Sequence, residues 1–588
     1  TLNLTNSGLT FNAAGLVTAT ADMTVNDSAA TLALNVEKLG VAPEAEAAAG
    51  NGLAALTLTN APTTLNVTST GDNYVDMTAA ATETLNVSGD GMLDIDNTDL
   101  AALKTVTVTE TAGLSLNAGG ANTIESVNTT GTTGTVTSTI DGGKATYSGG
   151  AGVDNVTLAT TTALTKDIDL GAGDDLLSFA ALNVTGSSAT LSGGDGIDSL
   201  SMAVATADNL DASVQSFYTN FERLVLNDAA GSTDGSDDTI TLDLANLGFT
   251  DYVTTQGTEP GGTPGTDDDD LVLDNMASNG TIVLAATNAG ANTVQTVNIK
   301  DASTGESDVL NVETDAADGT DLGTLTSDDV ESVNITANDT DTTDAVSTNT
   351  LELDADSATA LDLGGDGNLI LTLSAATTEV AAIDASDMTG ALDVTTLAGD
   401  TGATTVTGGS AADTLTAQGA NDVLIGGAGN DSLKVDGAVA SAATLTGGEG
   451  IDSFDVSGFL AANGGAAVTI TDLEAGETIK FNAAQDGANF ATGKVELIEE
   501  ATFSEFVQEA AAQADAASET YNDAVIGADD YEGGVAWFEF NNNTFIVQDV
   551  DGDGAFTDGN DNIVKLTGSI DLSNSSFSQT EATLEYIA

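Results

Sequence analysis

Apolar residues flank a polar one in a short triplet that recurs along the chain: Leu65-Asn66-Val67, Leu85-Asn86-Val87, Val106-Thr107-Val108 and Val127-Asn128-Thr129, at intervals of 20, 21 and 21 residues. Alternation of period two predicts strands with the apolar residues inward and the asparagines outward, where stacked amides form a ladder. A near-constant period of this size predicts stacked coils, each burying its apolar face against its neighbours. Further copies stand at Val297-Asn298-Ile299, Leu310-Asn311-Val312 and Val333-Asn334-Ile335 with looser spacing. An ordinary β-sandwich also repeats short Thr/Val strands between regular turns, and is the competing reading. Only one stretch has helical spacing: Phe503, Phe506, Val507, Ala510, Ala511 and Ala514, with Thr502 and Glu505 placed as a capping box. After Glu519 the pattern returns to strands around VAWFEFNNNTFIVQDV.

A second repeat lies on top of the first. Four copies of GGxGxD, each with an apolar residue two places on, begin at Gly149, Gly193, Gly426 and Gly447. They supply Gly149, Gly152 and Asp154; Gly193, Gly196 and Asp198; Gly426, Gly429 and Asp431; and Gly447, Gly450 and Asp452. Incomplete copies are LGAGDDLLS with Gly171, Gly173 and Asp175, GGSAADTLT with Gly408 and Asp413, and AQGANDVLI with Asp422. In GDTGATTVT, Thr404 stands where the aspartate belongs. Asp154, Asp175 and Asp198 are 21 and 23 residues apart, and Asp413, Asp431 and Asp452 are 18 and 21 apart. One coil apart, these carboxylates stack along one edge. Glycines that permit a left-handed turn present carbonyls there, and the aspartates supply the hard oxygen ligands that calcium prefers. Ordinary Asx-Gly turn chemistry without an ion is the alternative, strongest for the degenerate copies.

The nonapeptide resembles that of the RTX family of secreted bacterial proteins, and the resemblance implies a parallel β-roll in which several calcium ions belong to the fold. Ions are then expected between Asp154 and Asp175, Asp175 and Asp198, Asp413 and Asp431, and Asp431 and Asp452. Asp422 is a weaker candidate, with Thr404 one coil before it and Ala440 one coil after. Near the C-terminus, DVDGDGAFTDGND runs from Asp549 to Asp561. Asp549, Asp551, Asp553 and Gly554 match the first half of a DxDxDG calcium loop, but Asn560 replaces the bidentate glutamate at position twelve, leaving Asp558 or Asp561 to complete the shell. The surrounding segment resembles the end of type I-secreted RTX-like proteins, whose export signal is C-terminal and uncleaved.

Composition removes whole classes of function. The 588-residue chain has ten Lys+Arg against 91 Asp+Glu, a net charge of -81, and 65 of the acids are aspartate. With one arginine, Arg223, and no basic run, nucleic acid is not a partner. Without histidine there is no His-containing zinc site, no Ser-His-Asp triad and no HExxH helix. No cysteine means no disulfide, and no apolar run reaches the 18 residues of a membrane helix. Carboxylate-pair glycosidase chemistry survives these exclusions, but one tryptophan and 4% aromatics offer poor platforms for sugars.

The expected architecture is all-β: parallel β-solenoid or β-roll coils stabilised by calcium, with a small α+β C-terminal unit. Its expected divisions are an N-terminal β-coil region, 1–140; a first calcium-binding roll, 141–226; a β-rich region, 227–398, with an acidic Pro/Gly loop near 256–270; a second roll, 399–458; and the C-terminal unit, 459–588, with the calcium loop and the export signal. A cysteine-free, histidine-free, Asp-rich β chain also resembles the surface-layer proteins of Gram-negative bacteria. That resemblance implies a structural, non-enzymatic protein that tiles the cell surface in a calcium-dependent lattice of its own copies, with outer-membrane lipopolysaccharide as an anchor. An RTX adhesin segment that binds a surface or carbohydrate is the alternative.

Overall fold

The computed structural model describes residues 2–3, 10–14, 23–26, 29–40, 54–59, 62–96, 100–117, 123–159, 163–179, 187–231, 239–258, 270–285, 294–304, 307–340, 346–398, 402–436, 443–460, 467–482, 489–525 and 534–588. The chain divides into two compact units, residues 1–230 with 241–256 and residues 231–240 with 257–588. The Pro/Gly loop expected near 256–270 falls largely outside the described residues.

In the first unit every described strand pairs in parallel with strands one coil away, never with its neighbour in sequence. Thr64–Thr70, Thr84–Gly89, Thr105–Glu110, Ser126–Thr132 and Thr146–Ser148 stack in one sheet. Asn73–Thr78, Met92–Asp96, Gly113–Asn117, Val136–Ile140 and Asp154–Leu158 stack in the other. Parallel pairing between alternate strands excludes the antiparallel sandwich and defines a two-sheet solenoid. The repeating triplets are in register: Leu65 pairs with Leu85, Leu85 with Val106, Val106 with Val127, and the column continues through Tyr147, Ile168, Leu191 and Tyr218. All of these side chains are buried. Stacking like on like is the only way each coil can cover its apolar face. The asparagine ladder forms where asparagines are adjacent, with Asn86 Nδ2 donating to Asn66 Oδ1 at 2.8 Å. Thr107 interrupts it, and Asn128 instead accepts from the Thr130 backbone N–H at 3.0 Å.

The second unit repeats the plan. Val309–Thr314, Ser332–Ala337 and Ala360–Gly365 stack in one sheet, with Asn334 Nδ2 donating to Asn311 Oδ1 at 2.9 Å. Val294–Ile299 lies in the opposite sheet, where Asn298 Nδ2 donates to Asp274 Oδ1 at 2.6 Å. The solenoid closes on the α+β element. Val468–Ile470 pairs in parallel with Asn562–Leu566, which begins an antiparallel ribbon through Asn543–Asp549 to Gly534–Phe540. The helix Phe503–Val525 packs on that ribbon. Its capping box is formed: Thr502 N–H donates to Glu505 Oε2 at 2.7 Å and Glu505 N–H to Thr502 Oγ1 at 3.3 Å. Phe503 and Phe506 meet Phe538, Phe540 and Phe545 ring to ring. Most of the helix–ribbon adhesion is therefore aromatic.

Candidate metal centre

Each nonapeptide aspartate sits one residue before a strand, at the inner edge of its turn, so strand register decides which carboxylates meet. Asn155 pairs with Leu176 and Leu176 with Ser199, which aligns Asp154, Asp175 and Asp198 in one row. Thr414 pairs with Ser432 and Ser432 with Ser453, which aligns Asp413, Asp431 and Asp452 in a second. All six are buried. Within a row one hydrogen bond repeats: the backbone N–H of each aspartate donates to Oδ1 of the next. Asp154 gives to Asp175 at 2.7 Å and Asp175 to Asp198 at 2.8 Å. Asp413 gives to Asp431 and Asp431 to Asp452, both at 2.8 Å.

That bond uses one carboxylate oxygen and leaves the other. Oδ2 of Asp175, Asp198, Asp431 and Asp452 is buried without a hydrogen-bond partner. Four orphaned carboxylate oxygens in a dry turn are untenable unless a proton or a cation meets them. The glycines leave the space for one. A Cβ on Gly193 would lie 2.6 Å from Asp198 Oδ2, and Cβ atoms on Gly426 and Gly447 would press directly on Asp431 Oδ2 and Asp452 Oδ2. Gly171, Gly173, Gly196, Gly429 and Gly450 hold left-handed backbone, whereas Gly149 and Gly152 of the first copy do not. Burial, with the neighbouring acids adding to it, raises Asp175 to about 7, and burial raises Asp198 and Asp431 to about 6. The residues present fit an oxygen-loving divalent cation.

The row ends differ from the row middles. Asp154 has both oxygens engaged, by Tyr147 Oη at 2.8 Å, Thr129 Oγ1 at 3.3 Å and Gly150 N–H at 3.3 Å. Asp413 takes Leu392 N–H at 2.8 Å and Gly409 N–H at 2.7 Å, beside Gly408. Asp422 lies in the opposite sheet from Asp413 and Asp431 and is satisfied by Thr404 N–H, Gly419 N–H and Thr396 Oγ1 at 3.0, 2.8 and 2.5 Å. Its neighbour one coil on is Ala443, since Val423 pairs with Thr444; Ala440, expected there from a fixed period, lies outside the described residues. The turns differ in length, so counting residues misplaces the partner. Glutamates continue both rows: Glu222 accepts Asp198 N–H at 2.8 Å, and Glu477 stands opposite Asp452. Glu477 is buried, which together with Asp452 and Asp472 raises it to about 7. Sequence reasoning missed both glutamates because their turns lack the glycines. The available signal was an acid immediately before an alternating strand.

In the C-terminal loop Asp549, Asp551 and Asp561 bring one carboxylate oxygen each within 4.8 Å of one another. Asp561 is thus the acid that joins the group, while Asp553 is exposed and accepts Ala555 N–H at 2.8 Å. The loop is shaped by its own amides: Asp549 accepts Gly552 and Gly554 N–H at 2.9 and 3.0 Å, and Asp561 accepts Val550 and Thr557 N–H at 2.8 and 2.6 Å. Burial and the nearby Asp561 raise Asp549 to about 6.

A family model for the RTX calcium-binding nonapeptide repeat, in four copies, matches residues 398–433. No curated protein matches the chain. The matched segment contains Asp413, Asp422 and Asp431, and the geometry it describes recurs in the row from Asp154 to Asp198 outside the match. The protein is therefore a mostly β chain of calcium-stabilised parallel rolls, and its RTX repeats bind several calcium ions.

Proposed function

We propose that the protein is a structural surface-layer subunit that forms a calcium-dependent two-dimensional lattice on a bacterial cell surface. The observation that carries this reading is charge without internal compensation: -81 on the whole chain, and among the described residues only five ion pairs, all lysine to carboxylate. Subunits of this kind repel one another unless cations screen or bridge their acids. Proteins with RTX repeats are typically secreted, and export through a C-terminal signal suits a chain that folds only on meeting calcium outside the cell. Outer-membrane lipopolysaccharide, itself rich in phosphate, is the proposed anchor, held through shared calcium. The test is negative-stain microscopy of the purified chain in calcium and in sodium of matched ionic strength. Ordered sheets in calcium alone support the lattice. Folded monomers at high protein concentration in calcium would replace it with the adhesin reading.

A further inference from the structure

We propose that the first acid row ends in an additional calcium site, in which Asn220 and Glu222 of a glycine-free turn take the place of the next nonapeptide. The inference rests on calcium binding by the repeats but concerns residues outside any of them. Ser192 pairs with Thr219 and Ser199 with Arg223, so Asn220 stands opposite Gly193 and Glu222 opposite Asp198. Five steps separate Gly193 from Asp198, but only two separate Asn220 from Glu222. The turn is shorter, and the acid in it is longer by one methylene. Glu222 reaches back so that Oε2 accepts Asp198 N–H at 2.8 Å, the same bond that links each aspartate to the next along the row.

The carbonyl side of the cradle is reproduced as well. Asn220 holds left-handed backbone at φ 55°, a conformation that asparagine tolerates better than other side chains. A Cβ on Gly193 would collide with the Asn220 carbonyl oxygen and lie 2.6 Å from Asp198 Oδ2. At Gly426 the corresponding obstacles are the Gly447 carbonyl oxygen and Asp431 Oδ2. The same three parts therefore meet at both places: the space over a first glycine, a carbonyl from the following coil and the aspartate's second oxygen. Asp198 is 0% exposed, and that second oxygen has no partner. Glu222 is exposed, which leaves a path for a cation from solvent. Two carboxylates and a carbonyl make a hard oxygen set suited to calcium, with water completing the shell.

The test counts bound calcium on the full chain by native mass spectrometry and equilibrium dialysis. Glu222→Gln keeps an acceptor for Asp198 N–H but removes the charge, and is expected to hold one ion fewer than the parent. Glu222→Asp, too short to reach, is expected to lose the same ion, so the count does not depend on one variant folding well. Asn220→Gly keeps both carbonyl and left-handed backbone and should retain the full number. Full occupancy at parental affinity in both Glu222 variants would overturn the site. A parent that binds no calcium at all would instead overturn the repeats' own role, a separate failure.

Discussion

Asp431 and Asp422 lie in the same matched segment, nine residues apart, yet their loss should damage the protein in different ways. Asp431 stands between Asp413 and Asp452, with one oxygen on Asp413 N–H and the other unpartnered. Asp431→Ala leaves one buried amide unpaired, costing about 1–3 kcal/mol. It also takes a ligand from the ion expected on either side. With calcium about 100-fold above Kd, each ion stabilises the fold by about 2.7 kcal/mol, so roughly 5 kcal/mol of calcium-dependent stability should vanish. Asp422→Ala instead strands two buried amides and a hydroxyl, for about 2–6 kcal/mol from the amides alone. No ion is involved, because Asp422 is flanked by Thr404 and Ala443. Calcium counting combined with thermal melts across a calcium titration separates the two. Asp422→Ala should keep its ions and melt lower, in parallel with the parent, whereas Asp431→Ala should lose two ions and most of the dependence of Tm on calcium. Equal loss of bound calcium in the two variants would refute the stacking argument.

Gly447→Ala should weaken calcium binding roughly tenfold or more, about 1.4 kcal/mol, because its Cβ would press on Asp452 Oδ2; unchanged affinity by dialysis would count against the cradle. The calcium-free chain should gain stability as pH falls from about 7 toward 4. Asp175, raised to about 7, and Asp198 and Asp431, raised to about 6, bind protons in the folded state at pH values where the unfolded chain has released them. Melts of calcium-free protein at pH 4.5 and 7.5 check the sign, and a higher Tm at 7.5 would contradict it.

The coil period and its strands were legible because an apolar residue that must stack on its like leaves a regular trace. Leu65, Leu85, Val106 and Val127 announce their own register, and the capping box at Thr502 and Glu505 announces its helix. The aspartate rows were legible for the same reason, since the glycines that make room for a cation also mark where it sits. What escaped was whatever depends on turn length. The neighbour of Asp422 is Ala443 because the intervening turn is longer than the mean period allows. Glu222 and Glu477 extend the rows from turns with no glycine signature, where only three-dimensional register brings an acid opposite an acid. In the C-terminal loop, spacing favoured Asp553, but the chain bends so that Asp561 converges with Asp549 and Asp551 instead.

One column of the second unit shows where dependence on calcium begins. Asn349 pairs with Leu369, Leu369 with Leu392, and the same column continues through Asp413, Asp431, Asp452 and Glu477. Leu369 and Leu392 occupy the position as ordinary core, contributing about 1.5–3 kcal/mol each by burial with no ion. From Asp413 onward the same buried position carries a carboxylate, which opposes folding unless its charge is met. The first carboxylate in the column is satisfied by amides, and those after it present an unpartnered oxygen. The change from leucine to aspartate therefore converts a self-supporting stack into one whose stability is borrowed from its ions. Because consecutive coils share a continuous ladder, the ion-dependent coils are held in register by the apolar coils before them and pass that register to the α+β element beyond.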